Sequence, residues 1–411
     1  MLKGKINLPG DKSISHRVLI LASISKGKSK LYNLSKSKDV QRTINILKDC
    51  GVEIKKSKDG AMIVDGGRRF RTSKKRFYCG NSGSTARFML GFLPTRGMSG
   101  TLYGDRSLSR RPMDRVIKPL KKMGIQINSK AKTLPISFNA SSPFGNNHTL
   151  KIPSAQVKTA LILASLACKE RSVIKDNFNT RDHTEKLIQH LGYKNTAYSK
   201  FTPKKFRYTV AGDISSAAFL ISAAILIPQS NLVIENMLYN KTRIGYMNIL
   251  KKMGAQIRIF NKREEHNEIV CNIEAQYTKY LKGVVVSGKD LISMIDEIPI
   301  FALIASCAKG ESKIIGAQEL RYKESDRIKA IIYNLKKLNA DIKLNSSGFI
   351  IKGPNKLHYT TIKTFNDHRI AMMCEIAKLI TVGKLSKTNK LKSLINTSFP
   401  EFYKLLKRIY V

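Results

Sequence analysis

The stretch "MNILKKMGAQI", residues 247–257, sets apolar residues at helical spacing, then two lysines, a glycine and a short apolar ending. Such a run predicts an amphipathic helix, closed by a residue that tolerates the left-handed conformation and followed by a strand. The phrase recurs as "TINILKDCGVEI" (43–54), "VIKPLKKMGIQI" (116–127) and "EKLIQHLGY" (185–193). A weaker echo, "IIYNLKKLNADI" (331–342), has Asn339 in the glycine's place. Polar turns and second alternating stretches follow, such as "AMIVDG" (61–66) and "GFIIKG" (348–353). The copies lie roughly 60–85 residues apart, which suits an internal supersecondary repeat longer than a usual solenoid unit. A Lys-rich chain could end helices this way by chance, but echoes each followed by an apolar strand favour real repetition. The expectation is an α/β fold built from units in two sets, about one set per half.

The 411 residues carry 74 Lys and Arg against 29 Asp and Glu, a formal charge of +45. An excess of that size raises nucleic acid or an anionic membrane as a partner. The lysines, however, are spread over the whole length with no basic tail, so most of the charge reads as compositional drift. A nucleic-acid surface would also need aromatics interleaved with a basic stripe, and the aromatics here are scattered. Cys50, Cys79, Cys168, Cys271, Cys307 and Cys374 stand far apart, with no C-x-x-C pair. That pattern predicts free thiols in a reducing compartment, without disulfides or zinc. The opening "MLKGKINLPG" shows no apolar segment of a signal peptide. The apolar run "AAFLISAAILI" (217–227) falls short of the ~20 residues that span a bilayer. The reading is a soluble, cytoplasmic chain with no membrane and no specific nucleic-acid partner.

Several polar stretches could carry chemistry. In "LPGDKSISHR" (8–17), Pro9-Gly10 makes a turn and Asp11 or Ser13 can cap a helix. Ser13 and Arg17 then lie one turn apart on one face, with Lys12 beside the positive helix end. In "CGNSGSTARFMLG" (79–91), small residues around Asn81 and Gly83 let a ligand touch backbone N–H groups. "GDRSLSRRPMDR" (104–115) sets Arg110 and Arg111 before a proline, where a guanidinium can grip a carboxylate. "IPSAQVKTALILASL" (152–166) offers Ser154 and Gln156 at the mouth of a very apolar helix. Farther on, "SMIDEIPIFALIA" (293–305) places Asp296 and Glu297 just before a buried helix. "LRYKESDRIKAI" (320–331) puts Lys323, Glu324 and Arg327 at helical spacing. In "NDHRIAMM" (366–373), Asp367 can cap a helix whose first turn presents His368 and Arg369. Caps and surface ion pairs would explain each stretch singly, but their joint occurrence at element ends favours a ligand site.

Taken in order, these residues match a known family. From "LPGDKSISHR" through "GNSGSTAR", "RRPMDR", "SAQVKTAL", "RDHTEKL", "GDISSAAF", "DEIP" and "KESDRI" to "DHRIAMM" and "TSFPEF", the chain resembles the 5-enolpyruvylshikimate-3-phosphate synthases. The resemblance implies two similar lobes, each of three βαβαββ repeats in an inside-out α/β barrel, with a cleft between them. Residues 11–211 would form one lobe, and residues 1–10 with 212–411 the other, which holds the acid/base carboxylates. It also implies transfer of the enolpyruvyl group of phosphoenolpyruvate to the 5-hydroxyl of shikimate 3-phosphate, with release of phosphate. No metal or organic cofactor is expected, and the chain is expected to act as a monomer.

By the same resemblance, Lys12, Ser13, Arg17, Ser154, Ala155, Gln156, Asp296 and Lys323 would hold shikimate 3-phosphate. Lys12, Asn81, Gly83, Arg111, Gln156, Arg327 and Arg369 would hold phosphoenolpyruvate. Asp296 is assigned as the base and Glu324 as the proton donor, with Lys12 as the rival donor. Cations from both halves would converge on a cleft that closes around the ligands. One lysine common near the end of the family is Thr397 here, so that one phosphoenolpyruvate contact is either lost or supplied by Lys390 or Lys392. The sister enzymes acting on UDP-N-acetylglucosamine typically carry a cysteine in the loop before "RP", and "GDRSLSRRPMD" has none.

Overall fold

The computed structural model describes residues 1–358, 360–381 and 389–411. Chain contacts separate two compact units, Met1–Pro9 with Ala211–Val411, and Gly10–Val210. The crossings fall at Pro9-Gly10 and Val210-Ala211. Gly10 is obligatory at the first crossing, because a Cβ there would overlap the Asn33 carbonyl oxygen and crowd the Val210 side chain.

One sheet topology appears four times among the described residues. In Gly10–Val210 it joins Arg207–Thr209, Gly27–Tyr32, Met62–Gly66 and Glu53–Lys56, and again Arg76–Tyr78, Gly100–Tyr103, Ile136–Phe138 and Ile127–Asn128. In the other unit it joins Lys3–Asn7, Asn231–Leu238, Glu268–Gln276 and Ile257–Glu265, then Val285–Val286, Gly310–Ile314, Phe349–Gly353 and Asp341–Leu344. Each time the first pair is parallel and the other two are antiparallel. The outer antiparallel pairs are helix-closing phrases meeting their second alternating stretch: Ile54 faces Val64, and Ile342 faces Ile351. All four of these side chains are buried.

The helices ending in the repeated phrase are Lys38–Asp49, Asp114–Lys122, His183–His190, Gly245–Lys252 and Arg327–Lys337. Gly51, Gly124, Gly192, Gly254 and Asn339 follow them with φ between +70° and +100°, the left-handed closure the sequence predicts. One expectation fails. No strand follows Gly192; the Tyr193 hydroxyl donates to the Ala197 carbonyl and accepts from Ser199 N, both at 2.7 Å, tying that segment into a loop. Its sheet is reduced to His148–Thr149 beside Ile174–Lys175.

Each unit also has three helices buried nearly all round: Lys12–Ile24, Gly83–Phe92 and Ala155–Ser165 in one, Ile214–Leu226, Ile298–Cys307 and His368–Ile380 in the other. Their sequences lack a polar face because no face meets water. Among the described residues no helix is long and apolar enough to cross a membrane. The six cysteines are free thiols, five of them buried.

The Gly83–Phe92 and Ala155–Ser165 helices touch closely at Gly91, where a Cβ would overlap the Ala160 carbonyl oxygen. Gly91→Ala is therefore expected to lower stability by about 1–3 kcal/mol through overpacking. Urea melts of both proteins check this, and an unchanged midpoint would refute the close contact.

Candidate active site

Asp11 sets the first helix by accepting Ile14 N at 2.9 Å on Oδ1, so the helix begins at Lys12. One turn on, Arg17 is 2% exposed. Its Nη1 donates to the Ser13 carbonyl at 2.7 Å, Nε to Thr184 Oγ1 at 2.8 Å and Nη2 to Thr159 Oγ1 at 2.7 Å. Its guanidinium carbon lies 4.8 Å from the centre of the Phe88 ring. Neutral oxygens and a ring face thus hold this buried cation in one orientation. Lys12 Nζ lies 2.9 Å from Asp39 Oδ2. His16 turns inward, its Nδ1 2.7 Å from Thr43 Oγ1, and burial pushes its pKa down to about 3.

Ser82 caps the next buried helix by accepting Thr85 N at 3.1 Å. Just before it, Asn81 donates to Asp105 Oδ2 at 2.7 Å and accepts from Arg111 Nη2. Arg111 also reaches Ser107 Oγ at 3.3 Å and is 7% exposed. Gly83 leaves space that two guanidiniums fill: a Cβ there would sit 2.6 Å from Arg87 Nη1 and 3.4 Å from Arg111 Nη1. Arg87 Nη1 donates to Gln156 Oε1 at 2.7 Å, and Gln156 Nε2 donates to Ser84 Oγ at 3.0 Å. The Gln156 amide is therefore fixed at both ends. Ser154 caps its helix by accepting Val157 N at 3.4 Å, with Ala155 as the first helical residue.

Contacts Arg87–Gln156 near the start and Gly91–Ala160 farther along show that these two helices run parallel. Their positive ends lie together, beside Arg87 and Arg111. The arrangement suits anions bearing several oxygens.

In the other unit, Asp367 is fully buried and does two jobs. It caps the His368–Ile380 helix by accepting Arg369 N at 2.9 Å on Oδ1. It also accepts Arg327 Nε at 2.8 Å and Ser325 Oγ at 3.1 Å on Oδ2. Arg327 is 1% exposed, and its Nη2 donates to Glu324 Oε2 at 2.6 Å and its Nη1 to Asp296 Oδ1 at 3.4 Å. Burial alone would lower the Arg327 pKa, yet Asp367, Glu324 and Asp296 together hold it above its ordinary value. Burial likewise opposes the Asp367 charge, but the Arg327 guanidinium keeps its carboxyl below the usual range.

Asp296 is ringed by cations. Lys323 Nζ lies 3.6 Å from Oδ1, and Arg369 Nη2 lies 3.7 Å from Oδ2. Arg369 Nη1 donates to the Asp296 carbonyl at 3.0 Å and lies 3.7 Å from Glu297 Oε1. A carboxylate held this way, with a second one on Arg327, can accept and hand on a proton at a fixed place.

The candidates thus gather as two groups, each within its own unit. Lys12, Ser13, Arg17, Asn81, Gly83, Arg111, Ser154, Ala155 and Gln156 belong to Gly10–Val210; Asp296, Lys323, Glu324, Arg327 and Arg369 belong to the other. Thr397 spends its hydroxyl on the Leu394 carbonyl at 2.7 Å, Lys392 is exposed, and the Lys390 side chain lies outside the described residues. Sequence reading missed Arg87, Asp39 and Asp105, and it saw Asp367 only as a cap. A buried arginine signals that a partner exists, but nothing local says where along the chain it lies.

A family model for EPSP synthase (3-phosphoshikimate 1-carboxyvinyltransferase) matches residues 1–406. The 3-phosphoshikimate 1-carboxyvinyltransferase of Alkaliphilus oremlandii is 41% identical, over 99% of this chain and 97% of its own. That of Thermodesulfovibrio yellowstonii is 40% identical over the same shares. Among solved structures, EPSP synthase from Acinetobacter baumannii superposes with a TM-score of 0.86 at 33% identity, covering 99% of this chain and 96% of that one. The enolpyruvyl transferase NikO from Streptomyces tendae shares the fold, with a TM-score of 0.77 at 12% identity, over 99% and 95% of the two chains.

Two stability effects follow from the buried charges. Asp367, with its folded pKa depressed, stabilises the chain above its unfolded value of ~3.9, and that contribution is lost as pH falls through the folded value. Asp367→Asn is expected to cost about 3–5 kcal/mol at neutral pH, and its stability should fall less steeply below pH ~4. His16 obeys the same linkage in a higher pH window: burial depresses its folded pKa, so the unfolded chain takes the proton first as pH falls. Stability should therefore drop by about 1.4 kcal/mol per pH unit between ~6.5 and about 3 on its account. Urea melts across that range should show a shallower slope for His16→Gln, and equal slopes would contradict a neutral buried imidazole.

Proposed function

The chain belongs to the EPSP synthase family, and we propose that its two residue groups carry the reaction as follows. It transfers the enolpyruvyl group of phosphoenolpyruvate to the 5-hydroxyl of shikimate 3-phosphate and releases phosphate, a step of aromatic amino acid biosynthesis. In that exchange the hydroxyl O–H breaks and its oxygen bonds to the central carbon of phosphoenolpyruvate. The bond from that carbon to the phosphate oxygen breaks, and the balance closes with the two substrates alone.

Each substrate carries a carboxylate and a phosphate, about −5 to −6 in total. One like-charge pair at 4 Å opposes binding by ~4 kcal/mol at an effective dielectric of 20. Shikimate 3-phosphate is held by Lys12, Ser13, Arg17, Ser154, Ala155 and Gln156, with Asp296 and Lys323 at the reacting hydroxyl. Phosphoenolpyruvate is held by Lys12, Asn81, Gly83, Arg111, Gln156, Arg327 and Arg369. The rigid bonding of Arg17 and the Gln156 amide supports this reading, since pre-set groups lose little freedom when a ligand arrives.

Asp296 is the base for the 5-hydroxyl. The observation that carries this role is its carboxylate lying among Lys323, Arg327 and Arg369 at 3.4–3.7 Å. The methylene of phosphoenolpyruvate takes a proton from Glu324 or from Lys12 as the hydroxyl adds, and gives one back as the phosphate leaves, which restores the double bond. The net proton is the one lost by the 5-hydroxyl, and it leaves with the phosphate. The free thiols, mostly buried, support work in the reducing cytoplasm, and one chain supplies every residue named, which favours a monomer.

Purified protein given both substrates should release phosphate, and Asp296→Ala should slow it by about 10²-fold or more. Arg111→Ala should raise the KM for phosphoenolpyruvate more than that for shikimate 3-phosphate. Phosphate release that needs no shikimate 3-phosphate, or a fully active Asp296→Ala protein, would overturn the assignment.

A further inference from the structure

Lys158 is a cation in the wrong place by ordinary helix rules. It lies in the first turns of Ala155–Ser165, where the positive helix end disfavours it, and its side chain is only 5% exposed. All three ammonium hydrogens have acceptors: Asp176 Oδ2 at 2.8 Å, Glu185 Oε1 at 2.7 Å and the Thr180 carbonyl at 3.2 Å. Asp176 in turn gathers the segment after it. Its Oδ2 accepts Thr180 N at 2.9 Å and Thr180 Oγ1 at 2.6 Å, and its Oδ1 accepts Phe178 N at 3.0 Å. Residues 176–180 are thereby wound around one buried ammonium, while Glu185 ties the first turn of the His183–His190 helix to the same atom.

That bound segment presents two side chains to the proposed shikimate 3-phosphate residues. Arg181 Nη1 lies 3.4 Å from Ser13 Oγ. Thr184 Oγ1 takes Arg17 Nε at 2.8 Å and shares a 2.7 Å hydrogen bond with Thr159, the residue next to Lys158. Lys158 acts on Ser13 and Arg17 through these neighbours, Arg181, Thr184 and Thr159.

We propose that Lys158, bridging Asp176, Thr180 and Glu185, is a positioning residue that holds Thr184 and Arg181 in register with Arg17 and Ser13, and so sets the affinity for shikimate 3-phosphate. The proposal rests on the assignment of Ser13 and Arg17 to that substrate. Its mark is selectivity: losing the tether loosens one substrate's partners and leaves Asn81, Arg111 and the Asp296 group in place.

Steady-state kinetics of the full chain with Lys158→Met test it. The KM for shikimate 3-phosphate should rise about tenfold or more, since small misplacements of a binding group have effects of that order. The KM for phosphoenolpyruvate and kcat should stay within about threefold. Glu185→Gln keeps the Lys158–Asp176 bond and should shift the same KM in the same direction by less, which serves if Lys158→Met does not fold. Unchanged shikimate 3-phosphate KM in the folded variants would overturn the proposal, as would a parallel loss in kcat and both KM values. Wild-type protein that shows no heat of binding with shikimate 3-phosphate alone would instead remove the assignment beneath it.

Discussion

The ion pair between Arg327 and Asp367 is the constraint on which the carboxylate group depends. A guanidinium 1% exposed cannot stay charged without partners, and Asp367 supplies two of its hydrogen bonds from complete burial. Because Asp367 also caps the His368–Ile380 helix, the same carboxylate fixes where Arg369 emerges. Glu324 and Asp296 are then drawn to the remaining nitrogens of Arg327. Three distant chain segments are placed by one buried charge.

Arg17 and Arg327 are both buried, but they are held in opposite ways. Arg17 is held by oxygens of Ser13, Thr159 and Thr184, which are neutral, so those bonds orient it without cancelling its charge. Arg327 is surrounded by carboxylates, which cancel its charge and are themselves oriented by it. The first arrangement suits recognition of an anion; the second suits handling of protons. That division matches the roles proposed for the two groups, and it arises from the partners of the arginines, not from their number.

What could be read in the sequence was what local physics sets. Asp11, Ser154 and Asp367 cap helices through N–H groups two or three residues away, so their stretches announced themselves. The left-handed closures at Gly51, Gly124 and Gly254 were legible for the same reason. The pairing of Lys12 with Asp39, Asn81 with Asp105 and Arg17 with Thr184 was not, since the partners lie 27, 24 and 167 residues apart. Periodicity also misled once, after Gly192, where the hydroxyl of Tyr193 turns the chain back on itself instead of letting it extend.

The strand Lys3–Asn7 pairs in parallel with Asn231–Leu238, so it waits for a neighbour made long afterwards. At ordinary translation speeds the delay is roughly 10–45 s. Within that interval Gly10–Val210 is made, and its last strand, Arg207–Thr209, precedes Asn231 in the chain. This unit therefore has all its own strands first, while Lys3–Asn7 trails with its backbone N–H and C=O groups unsatisfied by any sheet. Its exposed lysines, Lys3 and Lys5 in "KGKIN", discourage premature pairing with other nascent chains. The order of synthesis and the order of assembly therefore differ in this molecule, and the charged character of its opening strand is what makes the mismatch tolerable.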